Sequence, residues 1–247
     1  MYLVHTAHTQ FMGLLAGFLA WIFTMITLGL NEWRLWHVAD ESIITSGMAW
    51  VGIWRTCFYS HVLPELENCR SIGISETFLP VEIPVAQVMM LLAVICGLAA
   101  NISAALAVRM AYFSVEDRSN IRLVFVLAGS LYLLTGLLSM VPLVWNMKSV
   151  LNNSTIDFPP EFHLPVAPAR QQVGSAIGVG ILASILMFIS GLVFLSYQYS
   201  CRTLKSVSRE HTRNSLQRSW TARTLPHKFD FPDGVNQGRN NSAFQTE

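Results

Sequence analysis

The sequence predicts an all-α transmembrane protein, four helices carrying a strand-rich, cysteine-containing loop outside the membrane, and three observations predict it. Of 247 residues, 52% are hydrophobic and 13% charged, whereas a water-soluble domain carries about 25% charged residues. Four apolar runs reach the ~20 residues needed to cross a hydrocarbon core about 30 Å thick. Two of the four cysteines, Cys57 and Cys69, share the one long stretch that separates the first run from the second.

The runs occupy residues 9–30, 85–108, 123–145 and 173–199, and the first two contain no charged residue. Lipid offers the backbone no hydrogen-bond partners, so each run must be helical despite its β-branched residues. Gly97, Ala100 and Ala104, and likewise Gly174, Gly178 and Ala183, are small residues at spacings that let helices approach closely and form a bundle. A cleaved signal peptide is the competing reading of the first run. It fits poorly: no basic segment precedes the run, the run is too long, and no small-x-small cleavage site follows.

Orientation follows from lysine and arginine near the helix ends. Arg202, Lys205, Arg209, Arg213, Arg218 and Arg223 follow the fourth run with Glu210 as the only acid among them, and Arg109, Arg118 and Arg122 bound the loop between the second and third runs. The loop after the third run has only Lys148 and Arg170, and residues 31–83 hold three arginines against seven acids, a net of −4. Both termini (1–8 and 200–247) and the 109–122 loop are therefore expected in the cytoplasm of a multi-pass plasma-membrane protein. The loops 31–84 and 146–172 are expected outside. The polar tail reads as largely disordered. The formal charge of +1 gives no reason to expect a nucleic-acid partner; the lipid bilayer is the implied one.

In the first loop, β-prone runs at Trp33–Val38, Ile43–Ile44 and Ala49–Tyr59 are broken by Gly47, Pro64 and Gly73, which reads as short strands joined by turns. The second loop carries Pro159, Pro160, Pro165 and Pro168 and is expected to be mostly irregular. The exoplasmic side is oxidising, so Cys57 and Cys69 are expected to be joined, which the chain-entropy account values at about 3 kcal/mol. Cys96 lies within a helix as a small packing residue. Cys201, at the cytoplasmic end of the fourth run, suits S-palmitoylation or stays a free thiol. Asn152 and Asn153 begin two overlapping N-glycosylation sequons on the outer side, and Asn101 begins another within a helix. The histidines are scattered, and the closest pair, His5 and His8, lacks further ligands, so no metal or cofactor is expected. Helices one and two lack the ionisable groups of a transporter or membrane enzyme.

A more specific signal lies in the order of certain residues. Trp33 is followed by Gly52-Ile53-Trp54, then Cys57 and Cys69. This resembles the claudin signature, in which an early Trp precedes Gly-Leu-Trp, two residues, Cys, a short gap and Cys. The third run, from Gly129 through Gly136 to Val141-Pro142 and Trp145, is similar to the claudin stretch G-x-L-F-x-L-x-G-L-x-x-L-V-P-x-S-W. The resemblance covers roughly residues 9–199, and the chain looks like a divergent member. Ile53 replaces the usual Leu, eleven residues separate the cysteines, and Gln87 stands where claudins usually carry Arg.

The resemblance implies a left-handed four-helix bundle topped by an antiparallel sheet, mostly of first-loop strands plus one from the second loop. It implies a non-enzymatic tight-junction component that associates with other claudin-like proteins within one membrane and between cells, as a paracellular barrier or ion-selective pore. Arg70 then occupies the place of a selectivity charge, although the loop's net −4 points the other way. Phe158-Pro159-Pro160-Glu161 corresponds to the family's aromatic-proline turn in contacts across cells. Trp33, Ile53 and Trp54 are expected to pack beneath the sheet. The terminal Glu247 does not suit an apolar PDZ pocket, so scaffold binding by that route is not expected. The alternative is an accessory subunit of a channel or receptor, as in the related PMP22-like and TARP-like four-helix proteins.

Overall fold

Each apolar run forms a helix, and the first three helices reach past their runs, whereas the fourth starts at Ser175 because Val173 belongs to a strand. The structure, a computed structural model, describes residues 2–38, 44–60, 63–113, 118–162, 164 and 167–197. Helices α1 (Tyr2–Gly29), α2 (Glu82–Phe113), α3 (Arg118–Leu151) and α4 (Ser175–Tyr197) are each long and apolar enough to cross a membrane. At 1.5 Å per residue, α2 and α3 are roughly 50 Å long, more than a hydrocarbon core of about 30 Å takes up. Their ends therefore stand in the headgroup region or beyond. The extension of α2 is written locally. Pro84 lies in its first turn, where a missing N–H is harmless, and Glu82 complements the positive helix start.

Small residues govern packing within the bundle. On α2, Ala93, Ala100, Ala104 and Ala107 are fully buried. Where α3 crosses α4, a Cβ on Gly129 would lie 3.0 Å from the carbonyl oxygen of Gly191, and one on Gly191 equally close to that of Gly129. Tyr132 fills the space at Gly17, where a Cβ would come within 2.5 Å of its ring. The outward residues, including Phe11, Leu15, Leu98, Leu137 and Leu192, are large and apolar, as a lipid-facing surface requires. One expectation is corrected: Gly178 is exposed, with nothing near its missing side chain. Gly180, against Leu143 and Thr27, takes the packing role instead.

At one end of the helices sits a five-stranded antiparallel sheet in the order β4-β3-β2-β1-β5. Its strands are β1 (Arg34–His37), β2 (Ile44–Val51), β3 (Arg55–Ser60), β4 (Leu63–Ser71) and β5 (Arg170–Val173). Register slips between Ile44 and Ala49, where Gly47 takes a φ of 60°. Only glycine adopts that conformation freely, and the carbonyl of Gly47 accepts the N–H of Val38 at 2.8 Å. The second loop is more ordered than its prolines suggested, holding a 3-10 turn at Pro160–Phe162 as well as β5. One apolar core joins sheet to helices, including Trp33, Trp36, Ile53, Phe58, Ile83, Met90, Phe158 and Ile177.

Candidate functional site: the sheet and its anchorage on the helices

Cys57 of β3 and Cys69 of β4 face each other in register and form a disulfide, their Cα atoms 4.1 Å apart. Cys57 is buried and Cys69 exposed, so the bond ties an edge strand to the interior. Glu67 lies within 4.8 Å of both sulfurs. Sulfurs bonded to one another supply no thiolate, and metal binding by cysteine requires one, so this cluster is not a metal centre.

The signature residues hold the sheet in place. Trp33 is 1% exposed, and its indole N–H donates to the carbonyl of Thr27, near the end of α1, at 3.0 Å. Gly52 lies so close to Asn31 that a Cβ would sit 2.9 Å from that residue's Cα. Ile53 is buried and Trp54 half-buried, packed against the same core. Gln87, fully buried on α2, donates from Nε2 to the carbonyls of Ile53 at 2.6 Å and Ile72 at 3.3 Å. It thereby clamps both ends of the disulfide hairpin to the helix, which a neutral amide does without burying a further charge.

Sequence reasoning missed the main polar feature. Arg34 is 1% exposed and sits within a cluster drawn from three elements. Its Nη2 donates to Glu82 Oε1 of α2 at 3.2 Å and to Asn146 Oδ1 of α3 at 2.7 Å, and its Nη1 lies 3.4 Å from Ser149 Oγ. Ser149 also donates to Glu82 Oε1, and Asn146 Nδ2 donates to the carbonyls of Glu82 and Pro142. Burial pulls the Arg34 guanidinium below its ordinary pKa, and the Glu82 carboxylate opposes that shift. Glu82 had counted as a loop acid; it belongs to α2 and neutralises Arg34. Two signals existed: strand period places Arg34 on the face of Trp36, and Asn146 and Ser149 lie three apart on one side of an apolar helix.

The remaining expected residues fall in different settings. Arg70 is exposed on β4, opposite buried Thr56. Phe158 is not a surface residue, which corrects its expected contact role. It is 6% exposed, edge-on to Trp36 at 5.4 Å and packed with Phe78 and Phe162. Pro159 is half-buried and Pro160 exposed; the side chain of Glu161 lies outside the described residues, as do Cys201, Glu247 and the tail. Asn152 and Asn153 are exposed beyond α3, Asn101 is buried on α2, and Cys96 is a half-buried free thiol.

A sequence model of the family described as PMP-22/EMP/MP20/Claudin tight junction matches residues 18–196, spanning the sheet, the disulfide and all but the first part of the four helices. The chain belongs to this family. Similar claudins include human claudin-2, 26% identical over 217 residues covering 84% of this chain and 85% of that one. Dog claudin-4 is 27% identical over 190 residues, 74% of this chain and 82% of its own, and mouse claudin-3 is 25% identical over 175 residues, 70% and 74% respectively. At such identity most side chains differ between this chain and these relatives.

Proposed function

We propose that the protein is a claudin-like structural component of tight junctions, associating with other claudin-like chains in one membrane and across apposed cells. Its strands act as a paracellular barrier or ion-selective pore. The match of residues 18–196 to the claudin family carries this reading. The four spanning helices and the disulfide-tied sheet support it. In this reading both termini are cytoplasmic, because basic residues gather at the 109–122 loop and tail, and the sheet faces the space between cells. The role is structural, not catalytic. Arg70, solvent-exposed beside the disulfide, is the selectivity charge, and Pro160 with Glu161 the contact across cells.

Expression in fibroblasts that lack tight junctions, followed by freeze-fracture imaging, tests the proposal. Continuous strands at cell contacts are expected. Diffuse surface protein that co-purifies with channel subunits would instead identify an accessory role.

A further inference from the structure

We propose that Asn153 is an N-glycosylation site and that its glycan stands beside the β5 edge of the sheet. The inference rests on the orientation given above, which places the second loop outside the cell. The chain holds four Asn-x-Ser/Thr tripeptides, beginning at Asn101, Asn152, Asn153 and Asn240. Asn101 is buried within a membrane-spanning helix, bonded to the Gly97 carbonyl and the Tyr132 hydroxyl. Asn240 lies in the basic tail, which the same orientation keeps in the cytoplasm, where no glycan is added.

The overlapping pair differs by geometry. If the span of α3 starts after Arg122, ~20 residues cross the hydrocarbon, and Leu143–Leu151 rise about 13 Å beyond it. The buried Arg34–Glu82–Asn146–Ser149 cluster covers one face of that raised segment, while Val144, Trp145 and Lys148 on its other face are exposed. Asn153 then leaves the helix end as its left-handed cap, with a φ of 52°. Its N–H bonds to the carbonyl of Val150 and that of Ser154 to Ser149, the paired closing bonds of a Schellman motif. Asn153 and Thr155 are both exposed, whereas Ser154, the hydroxyl residue of the Asn152 tripeptide, is half-buried. Asn152 itself lines a groove with Val144 and Trp145, running back towards the membrane.

The Ser154 carbonyl accepts Gln171 Nε2 of β5 at 2.6 Å, so a glycan on Asn153 rises next to β5, an outer strand of the sheet. Unpaired strand edges invite further pairing. A bulky sugar beside β5 leaves β4 as the bare edge.

The test uses the full chain expressed in epithelial cells. Treatment with peptide N-glycosidase is expected to increase gel mobility by the mass of one glycan. N153Q and T155A should abolish that shift, and N152Q and N240Q should keep it. T155A leaves Asn153 and its cap in place, so loss of the shift in that variant does not arise from misfolding. Orientation is read separately, with a membrane-impermeant amine reagent on intact cells. Lys148 is exposed, and the other lysines, Lys205 and Lys228, lie in the tail, so labelling that K148R removes marks the second loop as outside. Labelling without an enzymatic shift, or a shift lost in N152Q and retained in N153Q, overturns the glycan assignment and leaves the orientation standing. A shift lost only in N240Q overturns both.

Discussion

The sheet end and the helical bundle are held together by opposite means. Around the sheet, the interior is made of large side chains (Trp33, Trp36, Phe58, Phe158), a buried ion pair with its amide and hydroxyl partners, and a covalent bond. In the bundle it combines alanines with one aromatic cluster, Phe125, Tyr132 and Phe194, and glycines lie closely against facing side chains. The contrast follows from the surrounding solvent. Water drives apolar bulk into a core, whereas lipid tails are as apolar as leucine, so helices associate through close approach and packing. Each region should therefore fail in its own way.

The largest effect is expected at the ion pair. Glu82→Ala leaves Arg34 buried without a counter-charge and should destabilise the protein by about 3–5 kcal/mol, seen as a lower melting temperature in detergent and reduced surface delivery. Replacing both residues with methionine should recover much of that loss. Full recovery by Arg34→Met alone would show that the pair is not the element at risk.

Next comes the disulfide. Cys57→Ser with Cys69→Ser should remove about 2–5 kcal/mol. Limited proteolysis should then cut within the hairpin while α1–α4 stay protected; simultaneous loss of the helices would erase the division between the two regions. Within the bundle, Gly17→Ala drives a methyl into Tyr132 and should cost about 1–3 kcal/mol, without altering formation of the disulfide. Arg70→Glu should change stability least, within about 0.5 kcal/mol as for other exposed sites. It should nevertheless shift transepithelial permeability towards cations, and unchanged permeability removes Arg70 from the selectivity argument.

Legibility in the sequence divides along similar lines. The spans were plain because twenty apolar residues in a row have few other uses. Strand β1 was legible from its β-prone run, but β2 and β3 were not separated, since the run Ala49–Tyr59 passes through the turn that divides them. Strand β4 was not legible either: it is an edge strand carrying Pro64, Glu65 and Glu67, which solvent and an unpaired side tolerate. The four-residue β5, Arg-Gln-Gln-Val, has no apolar signal at all. The disulfide could be read because compartment and cysteine count decide it. The Arg34 cluster left only partial signals, the face Arg34 shares with Trp36 and the spacing of Asn146 and Ser149, because those partners lie more than a hundred residues away and only folding brings them near. Phe158 was misplaced for a related reason: its pocket is built by Trp36, Phe78 and Phe162 from three separate segments.

The pairing of β1 with β5 links parts of the chain that lie far apart in order. Only a few residues separate β1 from the end of α1, and Gly174 alone stands between β5 and α4. At that point Gly174 rests against the backbone of Glu32, where any side chain would collide, and Ser175 bonds to the Glu32 carboxylate. The first and last membrane rods are thus fastened together at the rim by a zipper of four residues a side. A lateral pull on either loop is therefore shared by both rods, through the β1–β5 pairing and the Glu32–Ser175 bond.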